Sequence, residues 1–246
     1  MSAMRPFLLL SSRGSDAATR GERDAICRIT GLDERTLVHL RVEQQPLPEL
    51  ELDDYSGILL GGSDFCASSV EKAEAQRRAE DGLDRLLDRV VAADFPFLGL
   101  CYGVGVLTSH LGGSVGNTHS EPIGAIEVTL TDQGRADPLL EGVPERFHAF
   151  VGHKEGADSL PPGATLLGTG AVCPVQLFRV GRNVYASQFH PELDADTLVA
   201  RMRLYQGYGY FAPEEFDTIS AAAHAAPMDG SQQLPLSNFV RLFGRP

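Results

Sequence analysis

The chain has 246 residues, which is long enough to bury a full hydrophobic core and falls within the range of one large α/β domain with additions. Its net charge is −12 and its 21 lysines and arginines are scattered, so the basic stripe that nucleic acid binding requires is missing, and nucleic acid is excluded as an expected partner. The 4 cysteines stand far apart without a Cys-x-x-Cys pair, which argues against a zinc site and against a disulfide framework.

The amino-terminal residues 1–10 are basic and then apolar, but the apolar run is too short for the hydrophobic region of a signal peptide. No stretch of the sequence approaches the roughly 20 apolar residues that a membrane span needs. We therefore expect no membrane partner. Reduced, widely spaced cysteines also suit a cytoplasmic location.

The first half of the chain alternates short apolar runs with helical patterns. Strands are predicted at residues 7–11, 36–42 and 57–60, and helices at about residues 19–30 and 70–93. Short continuous apolar strands separated by helices predict an α/β fold with a mostly parallel central sheet and helices on both faces. Because ligands of such sheets bind at the carboxyl ends of the strands, Gly61 and Gly62, which follow the third strand, are candidate site residues.

A sharp turn carries a candidate nucleophile. Residues 96–100 form a short apolar strand that ends at Cys101, and residues 103–111 have the apolar spacing of a helix. Gly99 and Gly103 are expected to remove β-carbons that would collide across this corner, as in the nucleophile elbow of serine hydrolases. The free N–H groups at the helix start are expected to lower the pKa of the thiol and to hold a developing oxyanion. Taken alone, the segment also fits a cysteine that is merely packed.

The second half changes to shorter strands and turns. In chain order we predict an alternating strand at 123–131, a turn with a short helix at 134–142, a strand at 164–168, a hairpin of 175–180 with 183–188, a helix at about 195–205 and helical pieces over 207–246. The expected organisation is a main domain over residues 1–205 and a carboxyl-terminal helical extension, residues 206–246, packed on it.

A base for the cysteine is predicted where a strand ends at His190. Pro191 stiffens this corner by fixing one backbone dihedral, and Glu192 can fold back to the imidazole and fix its tautomer. A single histidine near a carboxylate is common on protein surfaces, and the chain has 7 histidines. Together with the elbow at Cys101, however, the pattern predicts a nucleophile, a base and an orienting acid. A thiolate–imidazolium pair at these residues predicts a bell-shaped pH dependence of kcat/KM.

Five short motifs, in this order, resemble those of the class I glutamine amidotransferases. They cover roughly residues 5–205 and are Leu60-Gly61-Gly62-Ser63, Gly99-Leu100-Cys101-Tyr102-Gly103, Leu111-Gly112-Gly113, Gly152-His153-Lys154 and Gln188-Phe189-His190-Pro191-Glu192. Within that family the chain is most similar to the stand-alone group that resembles the glutaminase half of GMP synthase. The resemblance implies a flavodoxin-like domain in which Cys101 attacks the side-chain amide of glutamine, His190 handles protons and Glu192 orients His190. The resulting γ-glutamyl thioester is hydrolysed to glutamate, and ammonia is released.

The same resemblance implies roles for several neighbouring groups. It assigns an oxyanion hole to the backbone N–H groups of Gly62 and Tyr102, and a contact with substrate to Gly61. His153 and Lys154 match a position near the substrate, where backbone groups grip the amino acid end of glutamine.

One position departs from the family pattern. The family commonly carries Gly-x-Cys-x-Gly-x-Gln, whose glutamine helps to hold the substrate, and Gly105 stands at the glutamine position of this chain. The departure implies weaker glutamine binding at Gly105, replacement of the contact by another residue, or a different γ-glutamyl substrate. The nucleophile, the base and the oxyanion hole are not affected by it.

Three functions are compatible with these residues. The first is a glutaminase or amidotransferase that gives ammonia to an acceptor. Because the chain has no Gly-x-x-x-x-Gly-Lys motif and no pyrophosphatase loop for activating an acceptor with ATP, the partner that uses the ammonia would be a synthetase subunit. The second is a hydrolase of γ-glutamyl peptides or conjugates that uses the same triad, and the third is a catalytically idle regulatory or binding subunit. We expect neither a cofactor nor a metal ion.

Overall fold

The structure is a computed structural model and describes residues 5–245. Its strands are β1 (Phe7–Ser12), β2 (Leu37–Arg41), β3 (Ile58–Ser63), β4 (Phe97–Leu100), β5 (Val115–Gly116), β6 (Glu121–Leu130), β7 (Arg146–His153), β8 (Gly156–Ala157), β9 (Ala164–Thr169), β10 (Leu177–Val180) and β11 (Val184–Ser187). Its α-helices are α1 (Asp16–Thr30), α2 (Glu74–Ala92), α3 (Tyr102–His110), α4 (Asp132–Arg135), α5 (Ala195–Leu204), α6 (Phe216–Ala225) and α7 (Leu234–Phe243). None of the helices in this part of the chain has the length and apolar character needed to cross a membrane.

The central sheet combines a parallel part and an antiparallel part. Its strand order is β2-β1-β3-β4-β11-β10-β9-β6-β7, and the first five strands of this order run parallel to one another. The other pairings are antiparallel and include the predicted hairpin, which is formed by β10 and β11. The predicted α/β fold with its central parallel strands is thus confirmed. The short strands β5 and β8 form a separate two-stranded sheet.

Helices cover both faces of the sheet. Successive strand residues point to opposite faces, and in β1 both sets of side chains are apolar. Phe7 and Leu9 of β1 join the core cluster that includes residues of α1 and α7. Leu8 and Leu10 join the cluster that includes residues of α2 and α3. Each fully buried apolar side chain of this size contributes about 1.5–3 kcal/mol relative to an exposed one, so both faces of β1 require a covering layer.

The carboxyl-terminal helices pack on the rest of the chain. Phe239 of α7 is fully buried, and its ring centroid lies 5.9 Å from that of Phe7. Helices α5 and α6 share a third apolar cluster, built around Phe150 of β7. The expected helical extension is therefore present. The division of the chain at residue 205 stays a prediction, and α7 shares the core of the main sheet.

Strand β7 lies at the edge of the sheet and had no counterpart in the sequence prediction. Its strand partner is β6, and Phe150 also forms an isolated antiparallel bridge with His190. Its buried apolar residues are Phe147, Ala149, Phe150 and Val151. Phe150 is buried between the buried residues Ala149 and Val151, and it disturbs the strict alternation by which a half-buried strand is recognised. The edge strand matters for the site because its last residue is His153.

Candidate active site

Four neighbouring parallel strands bring the predicted site residues to one edge of the sheet. Strands β1, β3, β4 and β11 are adjacent in the sheet and parallel, so their carboxyl ends lie together. Arg13 directly follows β1, Gly61 and Gly62 lie near the end of β3, Cys101 directly follows β4, and His190 lies shortly after β11. The crevice predicted from the sequence is formed, and it contains Arg13 in addition.

Cys101 occupies a strained corner between β4 and α3. Its φ of 52° and ψ of −85° fall where a non-glycine residue pays about 1–3 kcal/mol, a strain that often accompanies functional sites. A β-carbon on Gly99 would lie 2.8 Å from the Cα of Gly103, so the corner requires glycine at position 99. A β-carbon on Gly103 would make only ordinary contacts, and the collision expected there from the sequence is wrong. Tyr102 begins α3, so its N–H has no acceptor within the helix.

The acid–base side of the crevice, which we define as His190, Glu192 and Arg201, is fully assembled. Nδ1 of His190 lies 2.8 Å from Oε1 of Glu192. Because an ionised carboxylate only accepts hydrogen bonds, Nδ1 carries the proton and Nε2 keeps a lone pair. Arg201, from α5, donates through Nη1 to the same Oε1 at 2.9 Å. Glu192 is fully buried; the guanidinium of Arg201 compensates its charge, and His190 donates a hydrogen bond to it.

Burial and neighbouring charges set the protonation of the acid–base side. Burial by itself would raise the pKa of Glu192, but His190 and Arg201 outweigh it and hold this pKa well below its usual range. Burial lowers the pKa of His190, and Glu192 only partly opposes the shift. His190 is therefore neutral at neutral pH, as a general base must be.

The thiol of Cys101 is not acidified in the structure. Burial raises its pKa to about 12, although the charge of Arg13 acts in the opposite direction. The sequence pattern predicts a lowered thiol pKa from the start of α3, and this expectation is wrong because burial removes the thiolate from water and raises its pKa. A neutral thiol beside a neutral imidazole also replaces the expected thiolate–imidazolium pair. The amide of Gln188 donates from Nε2 to the sulfur at 3.7 Å.

The glycine side of the crevice, which we define as Gly61, Gly62, Arg13 and Glu22, surrounds a buried carboxylate. Glu22 of α1 is fully buried, and its Oε1 accepts the N–H of Gly62 at 3.1 Å and Nε of Arg13 at 2.9 Å. A β-carbon on Gly61 would collide with this carboxylate. A β-carbon on Gly62 would lie 2.6 Å from Nη2 of Arg13. The two glycines thus leave space for a buried ion pair beside the backbone of β3. The N–H of Gly62, which the sequence predicts as an oxyanion donor, donates to Glu22 in the structure.

A cavity of about 50 Å³ lies between the two sides. Its lining includes Cys101, His190, Arg13, Arg201, Tyr205 and Tyr210. A buried water needs about 10–15 Å³, so the cavity has room for a few waters and a larger ligand requires movement of its lining.

Tyr210 is held over the cavity by Lys154. The ammonium group of Lys154 donates to the carbonyl oxygen of Tyr208 at 2.7 Å and lies 4.4 Å from the ring centroid of Tyr210. Lys154 does not itself line the cavity. The predicted substrate contact of Lys154 stays a proposal. In the structure its side chain contacts Tyr208 and Tyr210.

The predicted substrate residue His153 is not part of the cavity lining and lies in a buried polar cluster. Its Nε2 lies 2.8 Å from Oε2 of Glu121, and its Nδ1 lies 2.9 Å from the carbonyl oxygen of Glu155. Glu121, His153 and Cys173 bring three possible metal-ligand atoms within 4.8 Å of one another. Both ring nitrogens of His153 already have protein partners, so the hydrogen bonding of this ring is complete without a metal ion.

Glu155 occupies the space beside Gly105. A β-carbon on Gly105 would lie 3.0 Å from Cβ of Ala67 and 3.1 Å from Oε1 of Glu155. The carboxylate of Glu155 accepts the N–H groups of Ala67 at 2.5 Å and of Ser68 at 2.9 Å. A glutamine side chain at position 105 would displace these groups. The departure from the family motif is thus accompanied by an acidic residue that orders the neighbouring loop.

Three charged residues of the crevice, Glu22, Arg13 and Arg201, were not predicted from the sequence. Glu22 carries a recognisable signal, because it falls on the buried stripe of α1 formed by Ala18, Thr19, Glu22, Ala25 and Ile26. A carboxylate in such a stripe needs a buried partner. Arg13 directly follows a strand at the edge where ligands bind. Arg201 offers no such signal, since its contact with Glu192 depends on how α5 packs.

Relatives of known name match more than half of the chain. The chain is 27% identical over 166 residues to a glutamine-hydrolysing GMP synthase subunit from Thermococcus kodakarensis, and this match covers 65% of this chain and 81% of that protein. It is 28% identical over 149 residues to the glutamine-hydrolysing GMP synthase of Neisseria meningitidis. That match covers 60% of this chain and 26% of the Neisseria protein, so the chain aligns with about a quarter of that relative.

Solved structures show the same fold along nearly the whole chain. A glutamine amidotransferase from Thermotoga maritima superposes with a TM-score of 0.75 at 22% identity and covers 97% of this chain and 98% of that one. One from Methylobacillus flagellatus gives 0.73 at 18% identity, with 99% and 97% covered. The family model of glutamine amidotransferase class-I matches residues 35–202, a span that contains Cys101, His190 and Glu192. This chain belongs to the class-I glutamine amidotransferase family.

Proposed function

We propose that the chain hydrolyses the side-chain amide of glutamine, with Cys101 as nucleophile, His190 as base and acid, and Glu192 as the group that orients His190. The observation that carries this proposal is the cavity between the strained Cys101 corner and the imidazole of His190, with Glu192 bonded behind it. Relatives named as glutamine-hydrolysing enzymes support the choice of substrate.

The protonation states favour general-base catalysis from a neutral pair. As Sγ of Cys101 bonds to the amide carbon, the thiol proton passes to Nε2 of His190 and the carbonyl electron pair moves to the oxygen. The C–N bond then breaks, His190 returns the proton to the leaving nitrogen, and ammonia departs from the γ-glutamyl thioester. Water, deprotonated by His190, hydrolyses the thioester to glutamate and restores the thiol. Glu192 stabilises the imidazolium that forms in each half of the reaction.

The ammonia is proposed to serve an acceptor enzyme supplied by a partner. The relative from Thermococcus kodakarensis is named as one subunit of GMP synthase, which supports a synthetase in the role of partner to this chain. The absence of a phosphate-binding motif from the sequence supports the same division of labour. The expected cytoplasmic location is part of this proposal.

A second candidate is the hydrolysis of γ-glutamyl peptides or conjugates by the same residues. The observation that favours it is the packing of Glu155 beside Gly105, where the family pattern has a substrate-holding glutamine. A changed contact at this place alters the recognition of the amino acid end of the substrate. It leaves the groups that attack the γ-carbonyl in place.

The test is product analysis of the purified protein with glutamine and with a panel of γ-glutamyl peptides. Glutamate and ammonia should form from glutamine, and Cys101→Ala should lower the rate by at least about 10⁴-fold, as removal of a covalent nucleophile does in comparable enzymes. Cys27→Ala, which changes a partly buried cysteine outside the crevice, is the matched control and should retain the wild-type rate. Turnover of peptides alone would favour the second candidate. An enzyme idle toward both substrates, even with a synthetase partner present, would favour a regulatory role.

A further inference from the structure

A second, larger space lies beside the cavity that contains Cys101. It is an open depression of about 410 Å³, and its lining includes Asn117, Lys154 and Tyr210. Tyr210 and Ile123 are the two residues that line both the cavity and this outer depression. These two side chains therefore form the partition between Cys101 and the larger space outside.

The two residues of the partition differ in how firmly they are held. Ile123 belongs to β6, which pairs with β7, and a β-carbon on Gly152 of β7 would lie only 2.9 Å from Cγ1 of Ile123. Tyr210 lies outside the helices and strands, between α5 and α6. Because an irregular segment opens locally at a lower free energy than a strand within a sheet, Tyr210 is the residue of the partition that is able to move.

The backbone around Tyr210 is also suited to movement. Gly207 and Gly209, on its amino-terminal side, have φ values of 86° and 75°, a region that glycine adopts without strain. Within residues 206–211, all of which the structure describes, one group makes a backbone–backbone hydrogen bond, from the N–H of Tyr208 to the carbonyl oxygen of Tyr205 at 3.2 Å. The backbone of this segment therefore provides little resistance to opening.

Lys154 holds the segment against the rest of the molecule. It directly follows β7, and its exposed ammonium group both donates to the carbonyl oxygen of Tyr208 at 2.7 Å and lies 4.4 Å from the ring centroid of Tyr210. The ring of Tyr205 supports the same residue from the cavity side, with its centroid 6.2 Å from that of Tyr210. One charged group thus secures the ring that lies over the cavity.

We propose that Tyr210 is a lid residue that limits the size of the molecules that reach Cys101, and that Lys154 is the latch that holds this lid closed. When the ring of Tyr210 moves outward, the cavity of about 50 Å³ and the outer depression of about 410 Å³ become one space. The joined space admits a γ-glutamyl compound, for which the closed cavity is too small. This inference rests on the proposed hydrolysis of a γ-glutamyl amide and adds the residue that determines substrate size.

The first experiment measures access to Cys101 without any substrate. Iodoacetamide and the bulkier N-phenylmaleimide are compared, and peptide mass analysis follows modification of Cys101, with Cys27 on α1 as the reference thiol in the same samples. Tyr210→Ala should raise the rate of Cys101 modification by N-phenylmaleimide at least about tenfold, and the rate with iodoacetamide less, because the cover over the thiol is gone. Equal Cys101 rates in Tyr210→Ala and wild type would overturn the proposal.

Tyr210→Phe is the matched control for this experiment. It keeps the ring that covers the cavity and removes only the hydroxyl group, so its Cys101 rates should stay within about twofold of wild type. An increase as large as that of Tyr210→Ala would show that the ring is not the cover, and would contradict the proposal.

Lys154→Met tests the latch, and the sign of its effect separates access from electrostatics. Loss of a positive charge near a thiol raises the thiol pKa, which by itself slows alkylation. Release of the lid should instead speed modification of Cys101 by about tenfold, the effect of losing one cation–π contact and one charged hydrogen bond. Lys154→Arg keeps a cation and its donors, so it should restore the wild-type rate. A slower or unchanged Cys101 rate in Lys154→Met would overturn the latch.

The reference thiol separates opening of the lid from unfolding. Unfolding would speed modification of Cys27 as well, so only a rise in the ratio of Cys101 to Cys27 modification supports a lid. Because Lys154 is exposed, Lys154→Met still decides the proposal if Tyr210→Ala unfolds.

Substrate size provides the final test. Tyr210→Ala should raise kcat/KM for γ-glutamyl-p-nitroanilide, relative to kcat/KM for glutamine, by at least about tenfold, because the larger leaving group no longer meets the ring. An unchanged ratio would overturn Tyr210 as the residue that determines substrate size. If the wild type turned over neither glutamine nor γ-glutamyl peptides, the proposed function would fail, whereas the alkylation rates would still decide whether Tyr210 covers Cys101.

Discussion

The two sides of the crevice are built in different ways. On the acid–base side, His190 and Glu192 are two residues apart, and their hydrogen bond follows from one short segment after β11. On the glycine side, Gly62 meets Glu22 from α1 and Arg13 from the end of β1, at sequence distances of 40 and more residues. The acid–base side is a local motif. The glycine side is a tertiary assembly, and it requires glycine because a β-carbon at position 61 or 62 would collide with Glu22 or Arg13.

This difference shows that a familiar glycine motif can have more than one structural consequence. A Gly-Gly pair at the end of β3 is compatible with a backbone oxyanion hole, and the same pair leaves space for a buried carboxylate that occupies the N–H. Substitutions on the two sides test this difference. Those on the acid–base side should change kcat and its pH dependence, and the one on the glycine side should change the free energy of unfolding.

The largest effect is expected from Glu192→Gln on the acid–base side. The amide keeps the shape of the carboxylate but no longer holds Nδ1 of His190 as the proton donor, and a similar change in serine proteases costs about 10⁴-fold in kcat through the wrong tautomer. We expect kcat for glutamine hydrolysis to fall by about 10³- to 10⁴-fold. Steady-state kinetics beside the exposed change Glu214→Gln measures this. A loss of less than tenfold would mean that Glu192 does not orient the base.

The next effect is on stability and belongs to the glycine side. Gly61→Ala places a β-carbon against the buried Glu22 carboxylate, and disruption of a buried ion pair costs about 3–5 kcal/mol. Chemical denaturation should show a loss in the free energy of unfolding of that order. Gly103→Ala is the matched control, because its β-carbon would meet Leu60 only at 3.8 Å and lies within α3, where alanine is favoured over glycine by about 0.5–1 kcal/mol. Equal losses for the two variants would show that the Glu22 pair adds nothing to the requirement for glycine.

The same contrast explains what could be predicted from the sequence. The strands of the parallel part and the helices around them follow from local apolar patterns, and the Cys101 corner and the His190–Glu192 pair follow from adjacent residues. Strand β7 was not predicted because a run of three buried residues, 149–151, breaks its alternation. The partners Glu22, Arg13 and Arg201 were not predicted because only tertiary packing brings them to the site. The pKa of the thiol could not be predicted because it depends on the burial of Cys101.

A smaller but diagnostic effect concerns the pH dependence of kcat/KM. The folded pKa of His190 lies below the usual 6.5, so the active neutral base is retained above that pH and is lost as the pH falls through the lowered pKa. The pKa of Cys101 is about 12, so its ionisation produces no alkaline limb between pH 7 and about 10. We expect a single acid limb with its midpoint below 6.5 and then a plateau, in place of the bell expected from the sequence. A bell with both midpoints near neutrality would restore the thiolate–imidazolium pair.

The smallest effect is expected from Arg201→Met, which keeps an apolar stem and removes one positive charge from the acid–base side. The charge of Arg201 adds to the burial that lowers the pKa of His190, and its loss leaves Glu192 with the hydrogen bond from His190 but without the cation that contacts its Oε1. The acid limb of kcat/KM should therefore move to higher pH, while the plateau falls by less than about tenfold because the His190–Glu192 bond remains. Arg203→Met, an exposed change on α5, should leave the limb in place. A limb unmoved in Arg201→Met would reduce Arg201 to a packing residue, whereas an upward shift would show that the acid–base side, like the glycine side, depends on an arginine that the local motif does not contain.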